Sequence, residues 1–100
     1  LLVPAAFTKV TGQAHWLPLL QARAIENQCY VVAANQCGSH DGNRETWGHS
    51  VIIDPWGEIL ALQGHQPGLI AASLDPQKIE HIRKTMPVQL HARLTPVWRE

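Results

Sequence analysis

The stretch His15 to Gln36, HWLPLLQARAIENQCYVVAANQ, constrains the fold more than any other part of the chain. Its first half spaces Trp16, Leu20 and Ala24 one helical turn apart with Leu17 alongside, the apolar stripe of a helix lying on a core. Its second half, Cys29 to Asn35 (CYVVAAN), is a short, nearly continuous apolar run, as expected of a strand covered on both faces. The chain is therefore predicted to pass from a helix over about Ala14 to Gln28 straight into a buried strand, and the class to be α/β. Pro18 fits this reading because the first turn of a helix leaves its backbone donors without partners.

The flanking segments are predicted to pack beside this unit. Leu1 to Phe7 (LLVPAAF) reads as the end of a buried strand broken at Pro4, since proline cannot donate to a sheet ladder. Thr8 to Gln13 (TKVTGQ) reads as a loop, either a simple approach to the helix or a ligand-contacting loop of the kind α/β folds place there. Gln36 to Trp47 is predicted to be a polar loop. Gly48 to Asp54, Pro55-Trp56-Gly57 and Glu58 to Gln63 spell strand, tight turn and strand, with Asp, Pro and Gly in the order a type I turn prefers. Gly68 to Leu74 is predicted to be one more strand. Asp75-Pro76 then supplies an N-cap and a proline at the first helical position, and Pro87 stops a helix whose Ile79, Ile82 and Met86 share one face. The tail beyond it keeps Leu90, Leu94, Val97 and Trp98, and is expected to lie against something.

The charges are sparse and balanced. Eight basic residues face eight acidic ones, with no basic run or stripe, which argues against nucleic acid and anionic membrane as partners. The apolar runs Val31 to Ala34 and Val51 to Ile53 fall far short of the roughly 20 residues a membrane span needs, so a soluble chain is expected. It opens on Leu1 in an apolar strand without a charged leader, which we read as an internal start. Two cysteines, Cys29 and Cys37, make no disulfide framework, and a reducing, cytoplasmic setting is expected. His40, Asp41 and His49 match no metal-ligand spacing, so no metal is expected. Arg23 lies on the edge of the helix's apolar stripe with Glu26 one turn away. The two form a shielded structural pair or reach a site directly.

The strings PAAFTKVTGQAHW, LLQARAIENQCYVVAANQCGSH and RETWGHSVIIDPWG resemble, in order and spacing, the C-terminal part of a nitrilase-superfamily carbon-nitrogen hydrolase. The resemblance extends to about Pro87. Gln36-Cys37-Gly38 with His40, Gly48-His49-Ser50 and Asp54-Pro55-Trp56-Gly57 are most similar to the branch that hydrolyses deaminated glutathione; the ω-amidase branch is the near relative, differing chiefly around Gln36 to His40.

The resemblance implies an α-β-β-α sandwich that dimerises, acting on a small-molecule amide through a Glu-Lys-Cys set with no metal or organic cofactor. A cysteine thiolate attacks the amide carbon, glutamate serves as base and acid, lysine stabilises the oxyanion, and water releases the acyl-enzyme. The matching nucleophile motif lies upstream of the PAAF segment, so no catalytic residue is assigned here, and neither Cys29 nor Cys37 is expected to substitute. Phe7 and Thr11, with Thr8 a weaker third, match substrate-lining positions, while Arg23 and Glu26 match positions read as structural support. Residues 1–100 are thus expected to form the C-terminal part of a single domain, with 87–100 as an arm. They would be inactive alone and, with unpaired strand edges, prone to self-pairing. Two alternatives stay open: ω-amidase specificity, or a non-catalytic module that associates subunits.

Overall fold

The computed structural model describes residues 1–99. Strand β1 (Leu2–Ala5) leads into a helical crossover made of α1 (Lys9–Thr11), a π-helical turn at Gly12–Trp16 and α2 (Leu17–Asn27). The crossover returns to β2 (Val31–Asn35), parallel to β1, with Leu2 opposite Val32 and Ala5 opposite Asn35. A hairpin of β3 (Cys37–His40) and β4 (Arg44–Trp47) forms a separate two-stranded sheet. The chain comes back as β5 (Val51–Ile53) and β6 (Ile59–Leu62), completing a four-stranded sheet in the order β1-β2-β5-β6. It ends with α3 (Pro76–Thr85) and a 3-10 turn at Val88–His91.

The core lies between the crossover and one face of this sheet. Trp16, Leu20 and Ala24, the stripe predicted from spacing, meet Val31, Ala33, Val51 and Ile53. Removing Leu20, Val31, Val51 and Ile53 from water contributes roughly 1.5–3 kcal/mol each, and the alanines let the helix and sheet approach closely, which makes this seam the main source of stability. Trp16 is 1% exposed, and its Nε1 donates to the His49 carbonyl at 2.7 Å. At the other end α2 stops at Gln28, which adopts a left-handed φ of 49° and is itself buried. Its side-chain amide donates to the Met86 carbonyl at 2.8 Å, tying the end of α2 to the end of α3.

Several elements differ from the sequence reading, each for a physical reason. β1 runs through Pro4, because β1 is an edge strand with one side free of any ladder. The segment Thr8 to Gln13 is a loop only at Thr8; helix begins at Lys9, which places Pro18 inside the helical run. The π turn immediately before it widens the backbone spacing where proline lacks a donor. Cys29 sits in the turn after α2, not in the strand, and β2 is buried on the Val31, Ala33, Asn35 side while Ala34 faces outward. Gln36 to Trp47 is the β3–β4 hairpin, turned by Asp41-Gly42-Asn43 with φ of 76° at Gly42 and 61° at Asn43. Residues 68–74 form no strand, and no ladder pairs them; Gly68, Leu69 and Ile70 instead pass over the outer face of β2 and β5 above a gap of about 200 Å³. In the tail Leu94 is 92% exposed, and Leu90, Val97 and Trp98 are equally open, so it packs against nothing within the described residues.

The turn between β5 and β6 and the start of α3 form as predicted. The Asp54 carbonyl accepts from Gly57 N–H at 3.0 Å, and the Asp75 side chain caps α3 by accepting from Gln77 N–H at 3.0 Å. Gly57 has a φ of 89°, and a Cβ there would sit 2.7 Å from Ile25, so the turn needs glycine for both conformation and space. Asp54 is fully buried: its Oδ1 accepts from Trp56 N–H at 2.8 Å and Glu58 N–H at 2.9 Å, and its Oδ2 pairs with Lys78 of α3. Burial pushes the Asp54 carboxyl upward, but the bonds from Lys78 and the two backbone donors outweigh it and hold it below its ordinary 3.8. The hydrogen bond to Asp54 in turn raises Lys78 above 10.5.

The pair therefore stabilises the fold where both partners are charged. The Asp54 contribution is complete above its unfolded value and lost as pH falls through the lower folded one. That of Lys78 is complete below its unfolded value and lost as pH rises through the higher folded one. Urea unfolding followed from about pH 3 to about pH 5 is expected to show stability rising with pH, with Asp54→Asn flattening part of that rise. Asp54→Ala, which also leaves the Trp56 and Glu58 N–H groups without their acceptor, is expected to lower stability by about 1–3 kcal/mol at neutral pH.

Candidate functional site

The parallel strands β1 and β2 end side by side, and the crevice outside the carboxyl ends of such strands is where open α/β sheets place ligands. Three features converge at that end: the start of the crossover, the β3–β4 hairpin and the buried side chain of Asn35. Asn35 Oδ1 accepts from Phe7 N–H at 2.8 Å, and Nδ2 donates to the Gly48 carbonyl at 2.7 Å. One amide thus fixes the exit of β1 relative to the link between β4 and β5. The hairpin is docked by the bridge between Thr8 and Thr46, by Trp47 N–H donating to the Phe7 carbonyl at 2.9 Å, and by Gly12 lying directly on the Trp47 side chain.

The three residues expected to line a substrate pocket stand in different settings. Phe7 is half-buried with its ring centroid 4.9 Å from that of Trp16, so it packs into the core. Thr8 and Thr11 are exposed, and their hydroxyls lie 2.9 Å apart, forming a polar pair at the start of the crossover. Thr8 opens onto a hollow of about 280 Å³ lined also by Lys9, Val10, Asn43, Arg44 and Glu45. Phe7 and Thr11 do not line it. Arg23 and Glu26 pair with each other on the outer side of α2, with side chains 50% and 52% exposed, so the pair is open to solvent instead of shielded.

Other groups at this end carry no signal in the sequence pattern. Lys9 Nζ and Glu45 Oε2 form an ion pair at 2.7 Å, joining residues 36 positions apart. The hydrogen bond from Lys9 beside Glu45 holds its carboxyl below the ordinary range, with the charges of Lys9 and His65 acting the same way. On the far side of the pair a second hollow of about 240 Å³ is lined by Gly38, Ser39, Thr46 and His65 among others. His65 stands edge-on to both His49 and Trp47, whose rings stack with centroids 4.0 Å apart. Cys37 is half-buried and faces Trp47 across the hairpin; Cys29 is half-buried behind α2. Among the described residues no group of three or more His, Cys, Asp or Glu side chains is placed to hold a metal ion, and no helix is long and apolar enough to cross a membrane.

The family model described as Carbon-nitrogen hydrolase matches residues 2–84. The chain belongs to that family. It is 55% identical over 91 residues to the deaminated glutathione amidase of Synechocystis sp., covering 91% of this chain and 34% of that protein. To the deaminated glutathione amidase of Bos taurus it is 52% identical over 90 residues, covering 90% of this chain and 27% of the other. The chain thus spans about a third or less of the length of the curated relatives it matches. Among solved structures it superposes on the C. elegans NitFhit protein with a TM-score of 0.86 at 46% identity, covering 92% of this chain and 23% of that one. Saccharomyces cerevisiae Nit3, described as a member of branch 10 of the nitrilase superfamily, gives 0.80 at 38% identity, with 87% and 32% covered. The α/β fold is accordingly that of the carbon-nitrogen hydrolases, an enzyme family.

The contact between Gly12 and Trp47 yields a direct test of how the hairpin is held. A Cβ at Gly12 would land on the Trp47 side chain, so Gly12→Ala is expected to lower stability by about 1–3 kcal/mol through overpacking. Thermal denaturation would register this as a lower Tm; an unchanged Tm would show that the hairpin is not held by this contact.

Proposed function

We propose that these residues are the C-terminal part of a single carbon-nitrogen hydrolase domain in an amidase acting on deaminated glutathione. The observation that carries this reading is the 50–55% identity, over nine-tenths of the chain or more, to relatives named deaminated glutathione amidase. The chemistry is that of a cysteine thiolate attacking the amide carbon, with glutamate as base and acid and lysine at the oxyanion. All three groups lie outside this chain in the proposed enzyme, and its residues alone are inactive. No metal or organic cofactor is needed, because every reacting group is a protein side chain.

The part played by this chain is to shape the pocket. The paired hydroxyls of Thr8 and Thr11 orient the substrate amide, and Phe7, held by Asn35 and Trp16, fixes the wall behind them. Arg23 and Glu26 support α2, the helix that follows these residues in the crossover. The enzyme is a cytoplasmic homodimer, and residues 87–100 form an arm; the exposure of Leu90, Leu94, Val97 and Trp98 is what an arm that packs outside its own fold presents. Hydrolysis by the full-length enzyme is expected to favour deaminated glutathione over α-ketoglutaramate in kcat/KM. Preference for α-ketoglutaramate would assign the ω-amidase specificity instead, and turnover of neither would favour a non-catalytic association module.

A further inference from the structure

The hollow between the crossover and the hairpin tip holds an unspent positive charge. Of its charged lining groups, Lys9 is taken up by Glu45, whereas Arg44 is exposed and makes no ion pair or side-chain hydrogen bond among the described residues. Arg44 is not a loose tip residue: it is the first residue of β4, held in ladder register opposite His40. Its neighbour Glu45 is pinned to Lys9, and Thr46 is bridged to Thr8 and shares a hydrogen bond of 2.9 Å with His40. The backbone that carries the guanidinium is therefore positioned from both sides. Thr8, the hydroxyl residue proposed to face the amide, lines the same hollow.

We infer that Arg44 is a specificity residue that receives the terminal carboxylate of the substrate's leaving group. This rests on the amidase reading above. Deaminated glutathione keeps its C-terminal glycine, so cleavage of either of its amides releases an amine bearing that carboxylate. A primary ω-amide releases ammonia, which bears none. A planar guanidinium with free donors matches a carboxylate in two parallel hydrogen bonds, an interaction that a lone ammonium does not reproduce. The hairpin carries Arg44 to the rim of the hollow that Thr8 lines, so the guanidinium stands beside the hydroxyl proposed to face the amide.

The test uses the full-length enzyme containing these residues, unsubstituted and as Arg44→Ala, Arg44→Gln and Arg44→Lys. Three substrates are compared: deaminated glutathione, the same molecule with its glycine carboxylate converted to a primary carboxamide, and α-ketoglutaramate. Arg44→Ala and Arg44→Gln are expected to lower kcat/KM for deaminated glutathione by about 10-fold or more, chiefly through KM, with Arg44→Lys in between. Turnover of the other two substrates is expected to change by less than about 3-fold, since neither presents the carboxylate to Arg44. An equal loss on all three, or no loss on any, would overturn the assignment while leaving the amidase reading intact. Failure of the unsubstituted enzyme to hydrolyse deaminated glutathione would overturn both.

Discussion

The arrangement of this chain depends on the burial of one indole. Trp16 ends the π turn of the crossover, contacts the ring of Phe7 just beyond β1, and donates its N–H to the carbonyl of His49 between β4 and β5. Three segments distant in sequence thus share one side chain. Placing that indole on the sheet brings Leu20 and Ala24, one and two turns later, onto Val31, Ala33, Val51 and Ile53. It also fixes the exit of β1, and with it the direction in which Phe7, Thr8 and Thr11 leave the sheet. A Trp both large and hydrogen-bonded suits this role, because its apolar area drives burial while its single donor selects one orientation.

Polar groups then set what packing leaves free. Asp54 and Lys78 hold α3 against the β5–β6 turn, Asn35 holds the ends of β1 and β4 together, and Gln28 joins the ends of α2 and α3. Each lies at a junction between elements, not within one, so the apolar seam gives stability and the polar contacts give geometry. At the carboxyl ends of β1 and β2 the same logic leaves two hydroxyls and one guanidinium facing solvent beside a neutralised ion pair. Those are the groups the proposed reading uses.

Much of this was legible in the residues because the signals were local. The spacing of Trp16, Leu20 and Ala24, the order Asp54-Pro55-Trp56-Gly57 and the pair Asp75-Pro76 each specify backbone conformation through interactions a few residues long, and each forms as expected. What escaped was long-range. Pro4 is harmless because β1 lies at a sheet edge, a fact of strand order invisible in LLVPAAF. Residues 68–74 have the composition of a strand but find no partner, since pairing depends on an available edge and not on propensity. The β3–β4 hairpin hid behind polar residues, although Asp41-Gly42-Asn43 is a turn signal that could have revealed it. At the site, the family pattern named Phe7, Thr8 and Thr11; Lys9–Glu45 and Arg44 depend on docking the hairpin on the crossover, and nothing in a linear pattern announces that.

The central claim is that this chain shapes an amidase pocket whose reacting groups are supplied from outside it. The most direct measurement is hydrolysis of deaminated glutathione by the 100-residue chain alone and by the same residues within a full-length carbon-nitrogen hydrolase chain. The account predicts turnover only in the full-length form. Turnover by the isolated chain would place the nucleophile at Cys29 or Cys37 and contradict it.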